Sequence, residues 1–150
     1  MDLRHDLIER FDYDLWANRQ WWTALGKMKD LARAQATLEH ILTAQRIWLS
    51  RMGVEVSQAS ENLGIDDVAV FVNRAWKMVV TDSVLEQPIT YRNLAGFEFT
   101  NTVGQIANHV INHGSYHRGQ LRGQAQAEGL ENFPETDLIV FYRERMGLAN

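Results

Sequence analysis

Apolar residues recur at helical spacing along most of the chain. Between Asp2 and about Met28 they stand three, four or seven residues apart, which places them on one face of a long first helix. The residues of this face are Leu3, Leu7, Phe11, Leu15, Trp22 and Leu25. The same periodicity predicts a second helix from about Leu31 to Met52, which Gly53 ends.

The segment that follows divides into a loop and a third helix. The stretch from Gly53 to Gly64 has the polarity of a loop. Asp66 or Asp67 is then predicted to cap the third helix, because an aspartate side chain can accept from the free N–H groups of a first turn. The apolar residues of this helix are Val68, Phe71, Val72, Ala75 and Val79.

The hydrophobic period changes around Pro88. Apolar residues now alternate, with Ile89 and Tyr91 before an Asn-Leu-Ala-Gly turn and with Phe97 and Phe99 after it. Alternation of this kind on both sides of a turn sequence predicts a short β-hairpin, which would connect two helices.

Helical spacing returns from about Asn101 to Glu128. Thr102 and Gln105 have the spacing of a capping box at the start of this fourth helix, and Gly129 closes it. A last short helix is predicted to start at Asp137, which we interpret as its cap.

These elements predict an all-α fold, a four-helix bundle with an accessory β-hairpin and a short C-terminal helix. Nothing in the sequence suggests a linker or repeat, so residues 1–150 are expected to form a single domain. The connections after Met52 and after Leu85 are longer than tight antiparallel turns need, which permits crossover topologies.

Composition excludes several classes of protein. The net charge of −4 comes from acidic and basic residues mixed along the chain, whereas nucleic-acid binding needs clustered Lys and Arg. The absence of cysteine excludes disulfides, thiolate metal sites and a cysteine nucleophile. The polar N-terminus and the lack of a long apolar run argue against a signal peptide and a membrane span, so a cytoplasmic protein is expected.

Three histidines on the fourth helix suggest metal chemistry. His109, His113 and His117 stand one turn apart, so each adjacent pair could hold one ion. The outer two are separated by about 12 Å along the axis, too far for both to reach the same ion. Taking Val103 as the buried direction, His117 lies at about 40°, His113 at about 80° and His109 at about 120°. His113 and His117 are therefore the better pair.

Two interpretations of these histidines remain open from the residues alone. They could bind a metal, or they could be partly buried side chains bonded to acceptors in the core. His40 on the second helix is the candidate third ligand, although periodicity places it at an exposed or intermediate position. His5 is expected to be solvated.

Three segments carry a resemblance to a known family. They are NHGSYHRGQL (residues 112–121), LEHILTAQRIWL (38–49) and YDLWANRQWW (13–22). Together they resemble the DinB/YfiT-like superfamily over nearly the whole chain. The resemblance implies a four-helix bundle in up-up-down-down order, often dimeric, and a divalent metal held by His40, His113 and His117. His109 would then be a neighbouring or surface residue outside the ligand set.

One position departs from that family pattern. Many members carry an acidic residue where Gly114 stands, so this chain lacks a carboxylate that could act as a base or support a ligand. Arg118 could hold an anionic substrate, but we favour a structural or interfacial role for it. The five tryptophans are expected to be core or dimer contacts.

Three histidine ligands would leave an open coordination position, where a thiol or water could be activated. They suit Zn or Ni, with Fe or Cu as alternatives. The leading hypothesis is an enzyme that transfers a low-molecular-weight thiol to a small-molecule substrate, as some relatives do. The alternatives are a metal-dependent hydrolase and a non-catalytic metal-binding stress-response protein. A homodimer without nucleic-acid or membrane partners is expected.

Overall fold

The computed structural model describes residues 2–56 and 64–148, which are mostly helical. The five helices are α1 (Leu3–Ala24), α2 (Leu31–Arg51), α3 (Ile65–Asp82), α4 (Val103–Ala127) and α5 (Leu138–Arg145). Strands β1 (Pro88–Arg92) and β2 (Glu98–Thr102) form an antiparallel pair, and a 3₁₀ turn, Leu25–Lys27, follows α1. The predicted helices and hairpin are confirmed, while the predicted loop at 53–64 lies mostly outside the described residues.

Several predicted helix ends are confirmed in atomic detail. Asp2 caps α1, because its side chain accepts from the backbone N–H of Arg4. Both hydrogen bonds of the capping box between Thr102 and Gln105 are present at the start of α4. Gly129, with a φ of 79°, follows the end of that helix in the left-handed conformation that glycine adopts without strain.

The predicted cap of α3 is wrong, whereas the predicted cap of α5 is confirmed in position but not in its side-chain hydrogen bond. The residue at the cap position of α3 is Gly64, and Asp66 and Asp67 lie in the first turn. The Asp66 carboxylate instead accepts two hydrogen bonds from Arg19 on α1, at 2.7 and 2.8 Å. Asp137 does stand at the cap position of α5, but its side chain makes no capping hydrogen bond.

The directions of the four long helices differ from the up-up-down-down order. The connection of six residues between α1 and α2 makes them an antiparallel hairpin. Contacts from Arg4 to Val80 and from Arg19 to Asp66 show that α3 is also antiparallel to α1. Arg10 contacts Asn108, and Asp14, later on α1, contacts Arg118, later on α4, so α4 runs parallel to α1. The order is therefore up-down-down-up, with the crossover between α2 and α3.

Two large apolar clusters lie between the long helices, one toward each end, and a smaller third cluster packs Phe141 of α5 against Tyr13 and Ala17 of α1. The first combines the beginning of α1 and α4 with α3 and Leu49, and includes the buried ring of Trp76. The second combines the end of α1 and α4 with the beginning of α2, and includes the buried ring of Trp21. Both tryptophans are core residues, as predicted.

Polar side chains separate the two apolar clusters. On α1, α2 and α4, the buried residues that lie between the clusters include Asp14, Asn18, Gln45 and Arg118. The buried face of α1 runs through positions 7, 11, 14, 18 and 21, whereas the predicted members Leu15 and Trp22 are only partly buried and Leu3 is exposed. We call the side chains of Asp14, Asn18, Gln45 and Arg118 the polar layer.

None of the helices within the described ranges has both the length and the apolar character that crossing a membrane requires.

Candidate metal centre

Three histidines meet between α2 and α4. His40, His113 and His117 each offer a ring nitrogen, and these three atoms lie within 4.8 Å of one another. The Nε2 atoms of His113 and His117 are 3.0 Å apart. The ring centroid of His40 is 4.5 Å from that of His117 and 5.0 Å from that of His113. The structure therefore brings together the three predicted residues, which we call the histidine group.

The antiparallel packing of α2 and α4 explains this meeting. His113 and His117 project from the same side of α4 because they stand one turn apart. His40 is exposed, as periodicity predicted, while the two α4 histidines are partly buried. The group consequently lies at the protein surface, at the edge where the exposed face of α2 adjoins α4.

His109 lies outside the histidine group. Its ring centroid is 5.7 Å from that of His113 and 5.4 Å from that of Trp48, which it meets edge to face. The side chain is exposed. This position agrees with the prediction that the axial distance excludes His109 from a site containing His117.

Burial favours the neutral form of two members of the group. The pKa of His113 is lowered to about 4, first by burial and then by repulsion from His117, His40 and His109 if these are charged. Burial and the proximity of His117 also lower the pKa of His40. Because a neutral imidazole has a free ring lone pair, both side chains can act as metal ligands near neutral pH. The donor set therefore fits a divalent transition metal.

Gln120 orients the ring of His117. Its Oε1 atom lies 2.7 Å from Nδ1 of His117. An amide oxygen accepts a hydrogen bond from Nδ1 in the tautomer that has its proton there, and this tautomer leaves the lone pair of Nε2 free to bind a metal. Hydrogen bonds of this kind fix both the ring and the tautomer of a metal-binding histidine.

Replacing Gln120 by alanine is expected to lower the zinc affinity by about 10- to 100-fold, because His117 loses the partner that holds its tautomer. Competition with a chelating dye measures this change. Gln120→Glu keeps an acceptor on the side chain and should bind zinc nearly as well as the unmodified protein. Gln126→Ala, an exposed position on the same helix, is the control. Equal affinity of Gln120→Ala and Gln126→Ala would contradict the orienting role.

The polar layer lies directly behind the histidine group. The Asp14 carboxylate accepts from Arg118 Nη1 at 2.6 Å and from Gln45 Nε2 at 2.6 Å. Arg118 Nη1 also donates to Asn18 Oδ1 at 2.7 Å. Arg118 is only 2% exposed, which supports the structural role predicted for it and removes it as a substrate ligand.

Sequence reasoning did not identify Asp14, Asn18 or Gln45. The signal that could have found the first two is their position on α1. Together with Phe11 and Trp21 they form a run spaced by three or four residues, which lies on the buried face of α1. Polar side chains buried on such a face need hydrogen-bonding partners.

Gly114 is the point at which α4 meets the polar layer. A Cβ atom at this position would lie 2.4 Å from Asp14 Oδ1 and 3.0 Å from Arg118 Nη1. The carboxylate of Asp14 therefore occupies the space next to His113 that any larger residue at position 114 would need. In this chain the carboxylate near the site comes from α1 rather than from α4.

Fold and site together define a mostly helical protein with a three-histidine group able to hold a metal ion. The profile of the DinB family matches residues 3–136, and the chain belongs to this family. It is 22% identical over 158 aligned positions to Protein DinB of Bacillus subtilis (strain 168), an alignment that covers 87% of this chain and 90% of that protein. No solved structure gave a significant match.

Proposed function

We propose that this chain is a metal-dependent enzyme that transfers a low-molecular-weight thiol to a small electrophilic substrate. The observation that carries the proposal is the convergence of three histidines from two helices at an exposed edge of the protein. Three protein ligands leave room for a further ligand, which is the arrangement that catalytic sites use. The exposure of His40 leaves a path by which a small molecule can approach.

Each member of the site has a distinct role in this proposal. His40, His113 and His117 would hold Zn or Ni, with Fe or Cu as alternatives. The bound ion would supply a Lewis acid that favours the thiolate form of a thiol. Burial keeps His113 neutral and ready to bind, and Gln120 keeps Nε2 of His117 available.

The polar layer favours a thiol over water as the nucleophile. Hydrolysis at such a site commonly uses a nearby carboxylate as a base to activate water. Among the described residues, the histidine group includes no carboxylate. Asp14 is 3% exposed and is held by Arg118 and Gln45, so it is not placed to accept a proton from solvent. A thiol ionises more readily than water and has less need of a base.

We also propose that α1 to α4 form a four-helix bundle in the observed up-down-down-up directions, and that the protein is a cytoplasmic homodimer. The packing of α1 on α3 and α4, and of α2 on α4, supports the bundle.

The zinc- or nickel-loaded protein should accelerate the reaction of a small thiol with chlorodinitrobenzene. The thiol sulfur bonds to the ring carbon, chloride leaves and the thiol proton goes to buffer. The rate is followed by absorbance of the thioether. His40→Ala should lose the acceleration, because the variant lacks one of the three proposed ligands.

The same preparation tests the rival functions. Cleavage of nitrophenyl acetate without thiol, lost in His40→Ala, would favour a hydrolase and contradict the thiol transferase. Metal uptake with neither reaction would instead favour a non-catalytic metal-binding protein.

A further inference from the structure

Arg51 presents a fixed positive charge on the same helix as His40. Its guanidinium carbon lies 4.3 Å from the ring centroid of Trp48 and 4.8 Å from that of Tyr91. Nη2 donates one hydrogen bond, to the backbone oxygen of Arg92 at 3.2 Å. Stacking on two aromatic rings restricts the side chain without using its remaining N–H donors. Within residues 2–56 and 64–148, no carboxylate forms an ion pair with Arg51.

The Arg51 side chain faces the same way as the histidine group. Arg51 follows His40 by three helical turns, which returns it to within about 20° of the same direction. Helical side chains lean toward the N-terminus, and Arg51 accordingly lies over Trp48, one turn before it. Trp48 follows His40 by eight residues, so the guanidinium is about 12 Å along the helix from His40.

Aromatic rings connect the two positions. From His113 the next ring is His109, at 5.7 Å, and from His109 the next is Trp48, at 5.4 Å. We call the surface from the histidine group through His109 and Trp48 to Arg51 the α2–α4 strip.

We propose that Arg51 binds an anionic group, most simply a carboxylate, at the far end of a thiol or substrate whose reacting atom lies at the histidine group. This inference rests on the proposed function and adds the class of ligand: an elongated small molecule with a negative charge about 12 Å from its reacting end. The planar guanidinium suits a carboxylate, which it can meet with two parallel N–H groups. The aromatic rings of the α2–α4 strip offer contact to the apolar chain between the two ends.

Two other arginines do not combine an unpaired guanidinium with stacking on aromatic rings beside the histidine group. Arg118 is buried and bonded to Asp14. Arg33 lies on the same face of α2, seven residues before His40, but it is exposed and stacks on no aromatic ring among the described residues. Arg33 therefore provides a matched control, with an equal charge at a comparable distance on the other side of the histidine group.

Calorimetric titration of the zinc-loaded protein with three thiols tests the assignment. Mercaptooctanoate has a carboxylate at the required distance, mercaptooctanol is its neutral counterpart, and mercaptoacetate is too short to reach Arg51. The protein should bind mercaptooctanoate about tenfold more tightly than mercaptooctanol, the gain expected of one charge-assisted contact. Arg51→Gln should remove this preference while leaving zinc content, mercaptooctanol binding and mercaptoacetate binding unchanged. Arg33→Gln should retain the preference.

The outcomes separate the two proposals. Equal binding of both long thiols by the unmodified protein, or equal losses in Arg51→Gln and Arg33→Gln, would overturn the role of Arg51 and leave the proposed function standing. Failure of all three thiols to bind the zinc-loaded protein would overturn the proposed function together with the inference that rests on it. Far-UV circular dichroism and thermal unfolding of each variant verify that the fold is retained.

Discussion

Replacing His113 by alanine is expected to reduce the zinc content of the purified protein from stoichiometric to near zero. His113 is the central member of the histidine group, since its ring lies between those of His109 and His117 along α4 and also meets His40. Removing a side chain that hydrogen-bonds to a metal ligand costs about 10- to 100-fold in metal affinity. Removing the ligand itself should therefore cost more than about 100-fold. Elemental analysis and competition with a chelator measure the change.

His109→Ala is the matched control for this experiment. It removes the same side chain from the same helix, one turn away, at a position outside the histidine group. Zinc content should remain stoichiometric in this variant. Retention of zinc by His113→Ala, or an equal loss in His109→Ala, would show that the three histidines do not form the metal site.

Thermal unfolding provides a second measurement that does not depend on catalysis. Zinc at about 100 times its dissociation constant stabilises a folded protein by about 2.7 kcal/mol when it binds only the folded state. The unmodified protein and His109→Ala should both show this gain, whereas His113→Ala should show almost none. Without zinc the three proteins should unfold at similar temperatures, because His113 is only partly buried and contributes little to the apolar clusters.

The α4 half of the site could be predicted from the sequence because it depends on one helix. Turn spacing brings His113 and His117 together, axial distance excludes His109, and the buried direction set by Val103 selects the pair. Each of these steps uses only the geometry of a regular helix. Accordingly, the buried direction set by Val103 is confirmed, because Val110 and Leu121 on the same side of α4 are also buried.

His40 could not be placed in the same way. Periodicity describes how deeply a residue is buried on its own helix, and His40 is indeed exposed. Its meeting with His113 and His117 depends on where α4 lies against α2, which the pattern of one helix does not contain. The resemblance to a family supplied that information, and the structure brings His40 to the other two.

The polar layer was missed because hydrophobic periodicity treats Asp14 and Asn18 as solvent-facing. Their burial is possible only because Arg118 and Gln45, on two other helices, form hydrogen bonds with them.

The predicted helix directions were wrong for a different reason. The up-up-down-down order came from the resemblance alone, whereas the six-residue connection between α1 and α2 is of a length that favours an antiparallel pair.

Replacing Gly114 by alanine is expected to destabilise the metal-free protein by up to about 4 kcal/mol, the cost of separating a buried ion pair less the gain in helix propensity. The new Cβ would lie 2.4 Å from Asp14 Oδ1, so the carboxylate or the helix has to move. Overpacking of this kind costs about 1–3 kcal/mol. Separation of the buried Asp14–Arg118 pair costs about 3–5 kcal/mol. The helix propensity of alanine offsets only about 1 kcal/mol of either cost. Urea denaturation of zinc-free samples measures the difference.

Gly119→Ala and Gly123→Ala are the controls on the same helix. A Cβ atom at either position meets no atom within 4 Å, and both residues are exposed. These variants should therefore be stabilised by about 0.5–1 kcal/mol, the gain expected when alanine replaces glycine inside a helix. The opposite signs at position 114 and at positions 119 and 123 would show that the Asp14–Arg118 pair, rather than helix propensity, requires glycine beside His113. A stabilised Gly114→Ala variant would mean that the carboxylate of Asp14 does not occupy this space.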